Sequence, residues 1–85
     1  MPNWTVDVLA ADIRSDWREE GSTRLLVINK KFPLCEARDI DELYIAETAA
    51  LELAKPPKGE EKPISEYAED VNRLMRAFCV VWAES

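Results

Sequence analysis

Ile64, Tyr67, Val71, Leu74, Phe78 and Val81 recur at alternating spacings of three and four residues near the end of the chain. That rhythm is the turn of an α-helix, and it lines these apolar side chains along one stripe. A helix with a single apolar stripe has to be covered, so the remaining residues must supply a second layer. Ala68, Met75 and Trp82 widen the stripe, while Glu66, Glu69, Asp70, Asn72, Arg73 and Arg76 occupy the other side. Ser65 is the expected N-cap, and Glu69 and Arg73 form the expected i,i+4 ion pair.

Residues 56–63, Pro56-Pro57-Lys58-Gly59-Glu60-Glu61-Lys62-Pro63, read as an inter-helix linker, because proline and glycine interrupt regular structure. A second helix is expected before it, from about Asp39 to Lys55. Asp39 and Glu42 have capping-box spacing there, and the segment after Tyr44 is rich in the strong helix formers Ala and Leu. Near the start, Val6, Leu9, Ile13 and Trp17 also keep helical spacing, with Thr5 as cap, Trp4 as staple and Gly21 as stop. The competing reading makes Trp4–Val8 an alternating strand that pairs with Leu25-Leu26-Val27-Ile28. Ser22 to Phe32 is readable as helix or strand, since periodicity does not settle so short a run. The expected fold is mainly α, a single domain over residues 1–85 forming a three- or four-helix bundle. Its alternative is a small α+β domain with a short two-stranded hairpin from the N-terminal third.

The 85 residues include no histidine, and 17 Asp and Glu against 11 Lys and Arg leave a formal net charge of -6. Without histidine, Ser/His/Asp and Cys/His catalysis and most zinc sites are excluded. Gly21 and Gly59 begin no phosphate-binding loop. Cys35 and Cys79 have no CxxC spacing and are expected as buried free thiols. No catalytic residue, metal site or cofactor is therefore expected. Carboxylates at helix starts have a structural role as caps and dipole partners.

An acidic chain is a poor ligand for phosphates, so no direct nucleic-acid contact is expected. Neither a basic amphipathic helix nor a lipidation signal points to a membrane. Met1-Pro2-Asn3-Trp4 lacks the basic start and apolar core of a signal peptide, which makes the cytoplasm the expected compartment. Asn3-Trp4-Thr5 matches the N-glycosylation pattern, a chance match without an export signal. Protein binding remains, through two candidate surfaces. One is acidic: Asp16, Asp39, Asp41, Glu42, Glu66, Glu69 and Asp70 would steer toward a basic partner if the fold brings them together. The other is apolar: Phe78, Val80 and Trp82 would face a partner or a second copy in a homodimer.

In size and charge the chain resembles the small acidic inhibitors made by phages and mobile elements, including anti-CRISPR proteins, and bacterial immunity proteins or antitoxins. That resemblance implies a non-enzymatic inhibitor that blocks the nucleic-acid-binding surface of a larger basic protein. The alternative expectation is a small oligomeric structural or assembly adaptor.

Overall fold

Thr23 to Asn29 is the spine of the structure. The computed structural model describes residues 2–37, 40–57 and 59–84, with side chains as far as Val80. Strand β3 (Thr23–Asn29) lies between β1 (Trp4–Asp7) and β2 (Ser15–Glu20), parallel to the first and antiparallel to the second. Its run Leu26-Val27-Ile28 is almost fully buried, as a branched, apolar central strand should be. Three helices follow among the described residues: α1 (Pro33–Ala37), α2 (Glu42–Ala54) and α3 (Ile64–Glu84).

This overturns the helical bundle. The chain is a small α+β fold with a three-stranded mixed sheet, and the N-terminal third contains no helix among the described residues. The helical spacing of Val6, Leu9, Ile13 and Trp17 spreads over β1, a crossover and β2. The α+β alternative paired Trp4–Val8 with Leu25–Ile28; the strand observed is Trp4–Asp7, with Trp4 opposite Leu26 and Val6 opposite Ile28. It is a parallel pairing, however, and the hairpin partner of β3 is β2. Gly21 stops no helix. With φ at +62° and no positive φ at Ser22, it opens the two-residue turn between β2 and β3, the requirement of a type II′ hairpin.

The helices cover one face of the sheet. Leu26 packs with Ala46, Ala49, Ala50 and Phe78, while Ile28 packs with Cys35, Tyr44 and Ile45. Small residues on α2 let it approach both β3 and α3; Val71, Leu74 and Met75 of α3 are half-buried against this cluster, and half-buried Tyr67 donates its hydroxyl to Leu51 O. Asp41, not Asp39, caps α2, its carboxylate accepting from Tyr44 N at 2.7 Å. Asp39 lies outside the described residues. Lys55 turns extended before Pro56 and ends the helix, as the residue preceding proline tends to. Ser65 falls inside the first turn of α3 and not at its cap, because Tyr67 N already bonds to Pro63 O. Ile64, the first residue of the expected stripe, is 87% exposed.

Among the described residues no helix covers the opposite face, yet Val27 is only 1% exposed there. Arg18 on β2 reaches Asp7 on β1 at 3.0 Å. Arg18 sits opposite Leu25 and Asp7 opposite Asn29, so the ion pair runs diagonally across β3 above Val27.

The connection from β1 to β2 arches over the end of β3, and one buried side chain holds it. Asn29 Oδ1 accepts from Leu9 N and Lys31 N at 2.9 and 3.0 Å. Its Nδ2 donates to Ala10 O and Ile13 O at 2.9 and 2.7 Å. Every hydrogen-bonding position of the amide is thereby used.

Candidate functional site

The start of β2 is tied to α2 by a polar seam. Arg14 Nε donates to Thr48 Oγ1 at 3.0 Å, its Nη2 meets Glu47 Oε1 at 2.9 Å, and the guanidinium lies 4.6 Å from the Tyr44 ring centre. Thr48 in turn donates to Tyr44 O at 2.8 Å. Burial pushes the Tyr44 phenol up from its ordinary range, since removing water disfavours the phenolate. One position along, Ser15 Oγ donates to Glu52 Oε1 at 2.7 Å, and Lys55 reaches the same oxygen at 2.8 Å.

Beside this seam lies a groove of about 450 Å³ lined by Trp17, Arg24, Glu52, Leu53, Lys55, Pro56 and Pro57. Trp17 and Arg24 reach it because β2 and β3 place alternate residues on the helix side of the sheet. The Arg24 guanidinium stacks 4.0 Å from the Trp17 ring centre, an attraction of cation and π-face. Indole, leucine and two prolines make the walls apolar. Glu52 is engaged by Ser15 and Lys55, and Arg24 by Trp17, so these groups hold the groove in shape. Its size and lining suit capture of an apolar or aromatic side chain.

Among the described residues, the acidic side chains singled out in the sequence do not gather in one place. Asp16 is on β2, opposite Val27, and so on the face away from the helices. Glu66 and Glu69 are exposed on α3, which stands on the other side of the sheet. Asp41 is the α2 cap, and Glu42 follows it in the first turn. Asp70 is bound by Lys62 at 2.7 Å and Arg73 at 3.0 Å, the latter pairing replacing the expected Glu69–Arg73 contact. The Lys62 ammonium, hydrogen-bonded to Asp70, holds that carboxyl below its ordinary range. Lys62 also donates to Ala54 O at 2.8 Å, so it joins the end of α2 to α3 across the linker. Of the apolar residues, Phe78 is taken into the core and Val80 is exposed. The Trp82 side chain lies outside the described residues.

Cys35 is buried as expected, whereas Cys79 is exposed, and both thiols are free. Among the described residues, no cluster of three or more His, Cys, Asp or Glu side chains is arranged to hold a metal ion. None of the described helices is long and apolar enough to cross a membrane.

Sequence reasoning missed Asn29, Arg14 and the groove. Arg14, Ser15 and Trp17 were readable as an alternating strand in which Ser15 and Trp17 share a face. The Gly21-Ser22 pair was the signal that a hairpin follows. No known protein family, curated protein or solved structure matches this chain.

Proposed function

We propose that this chain is a non-enzymatic protein-binding inhibitor, of the kind that phages and mobile elements make. It acts in the cytoplasm by occupying the nucleic-acid-binding surface of a larger basic protein. The observation that carries the reading is how the charges are spent. Among the described residues, ion pairs engage Arg14, Arg18, Lys55, Lys62 and Arg73 with only Asp7, Glu47, Glu52 and Asp70. Asp16, Glu19, Glu20, Glu42, Glu66 and Glu69 are exposed and enter none of these pairs. The surplus charge is thus displayed as carboxylates, which attract a basic surface from a distance and stand in for phosphates on contact.

Short-range affinity then comes from exposed apolar groups. Val80, 55% exposed on α3, and the Trp17 groove beside β2 are available for this.

The test is capture from bacterial lysate on the immobilised protein, followed by elution in rising salt and competition with duplex DNA or RNA. A retained basic protein should elute as the Debye length shrinks from about 10 Å at 0.1 M to about 3 Å at 1 M salt. Nucleic acid should displace it, and joint charge reversal of Glu66 and Glu69 to Lys should slow its association. A retained partner indifferent to salt and to nucleic acid would sink the proposal.

A further inference from the structure

The two edges of the sheet are not equivalent. On β2, the bond from Asn29 N to Arg14 O turns even-numbered residues toward β3 and leaves the backbone of Ser15, Trp17 and Glu19 facing out. That edge is guarded: Trp17 N donates to Asp16 Oδ1 at 2.8 Å, and Arg18, Glu19 and Glu20 crowd the strand with charge. Such devices keep another strand from adding to an edge.

On β1, the bonds from Leu26 N to Asn3 O and Lys30 N to Asp7 O turn odd-numbered residues inward. The N–H and C=O of Trp4 and Val6 therefore point away from the sheet. Their side chains are 42% and 37% exposed, on the helix side, where α2 packs on β2 and β3. Residues Pro2 to Val6 carry no charge, and Asp7 is neutralised by Arg18 of its own chain.

We propose that β1 pairs antiparallel with β1 of a second copy about a two-fold axis at Thr5, joining two sheets into one. In this register Trp4 lies opposite Val6 of the second copy and exchanges both backbone bonds with it, and the axis repeats the arrangement. Aromatic–branched pairs of this kind, and Thr5 opposite its own counterpart, are favourable cross-strand neighbours. Asp7 falls opposite Asn3, so no like charges face each other despite the net charge of -6. A basic partner gains nothing at this neutral segment, whereas a second copy matches it in shape and charge. The pairing is also limited in length. Val8 N is already held by Asp7 Oδ1 at 2.8 Å, and Pro2, its counterpart, has no N–H. So short an interface gives a weak dimer, with Kd on the order of 10–100 µM.

Sedimentation velocity across a concentration series, together with amide hydrogen exchange, tests this. Mass should rise toward the dimer, and the Trp4 and Val6 amides should exchange more slowly as concentration rises, while that of Glu19 does not change. Val6→Pro deletes only an outward N–H, a position where an edge strand tolerates proline, and should weaken the dimer at least tenfold. Val6→Lys, which keeps the backbone intact, should do the same. A monomer at every concentration up to 1 mM, as a binder of a different protein's strand would give, overturns the proposal. So does a dimer that neither variant weakens, or one in which the Trp4 and Val6 amides show no concentration dependence; either would place the contact elsewhere.

Discussion

Asn29 Oδ1 receives the Leu9 amide at 2.9 Å, joining the end of the central strand to a crossover twenty positions earlier. The same side chain closes the turn from Ala10 to Ile13 by donating to both of their carbonyls. Its position, 0% exposed at the end of β3, excludes the water that would otherwise serve these groups. The crossover brings β2 to the far side of β3, and Arg14, Ser15 and Trp17 follow from it. The polar seam and the groove therefore depend on one amide.

Asn29→Ala should lower the unfolding free energy by about 3 kcal/mol, since several hydrogen bonds vanish, Ile13 O loses its donor and the Leu9 and Lys31 amides lose their acceptor. Asn29→Asp should cost more. It keeps the acceptor for Leu9 and Lys31 but turns a carboxylate oxygen toward the carbonyls of Ala10 and Ile13. Urea titration checks both, with the midpoint falling and the slope unchanged if the native fold persists. Equal stability of Asn29→Ala and the parent protein would show that water takes over the role of the amide.

Ala50 is fully buried between Leu26 of the sheet and the apolar side of α3. Ala50→Leu should destabilise by roughly 1–3 kcal/mol, because extra methyl groups in a filled core push side chains off their rotamers. In a thermal melt each kcal/mol should lower Tm by about 4–8 °C for a domain of this size. Leu53→Ala on the exposed side of the same helix should be far milder. A Tm unchanged by Ala50→Leu would mean that α2 stands further from the sheet.

The parts that were legible in the sequence are those whose periodicity is long enough to be unambiguous. Helix α3 and most of α2 belong to this class, because their apolar residues repeat over several turns. The N-terminal third misleads for a physical reason. Val6, Leu9, Ile13 and Trp17 happen to keep a helical interval, while β1 has only four residues and β2 reads Ser-Asp-Trp-Arg-Glu-Glu. An edge strand with one solvated face tolerates such charge, so its composition argues against the structure it adopts. Asp41 and Asp70 were visible as acidic residues. Their roles as cap and as ion-pair centre depend on Tyr44 N and on Lys62, which sequence spacing does not specify. The open edge at Trp4 and Val6 becomes apparent only once the register with β3 is known.

Cys79 is exposed on α3, whereas Cys35 is buried with Ile28, Tyr44 and Ile45. In native buffer a thiol reagent such as Ellman's should therefore modify one cysteine promptly and the second only after denaturant is added. Cys79→Ser should remove the fast phase and leave the slow one. Prompt modification of both thiols would show that the contact of α1 and α2 over Ile28 opens readily.

Two carboxylates make stability depend on acid. Asp7 is held below the ordinary carboxylate range chiefly by the hydrogen bond from Val8 N, and secondarily by the Arg18 guanidinium. Asp70 is lowered first by its hydrogen bond from Lys62. In both, the folded protein binds a proton less readily than the unfolded chain does. The stability they contribute is thus complete above the unfolded carboxylate value near pH 4, and is lost as pH falls through the lower folded value. The urea midpoint should accordingly fall between about pH 4 and pH 2 and stay level from pH 5 to 7. Asp70→Asn should lie below the parent protein at pH 7 and converge with it in strong acid, because protonation removes the same charge that the substitution removes. Asp7→Asn should behave alike and also loosen the cover over Val27. Parallel curves for Asp70→Asn and the parent protein at every pH would show that Lys62 and Asp70 do not interact in solution.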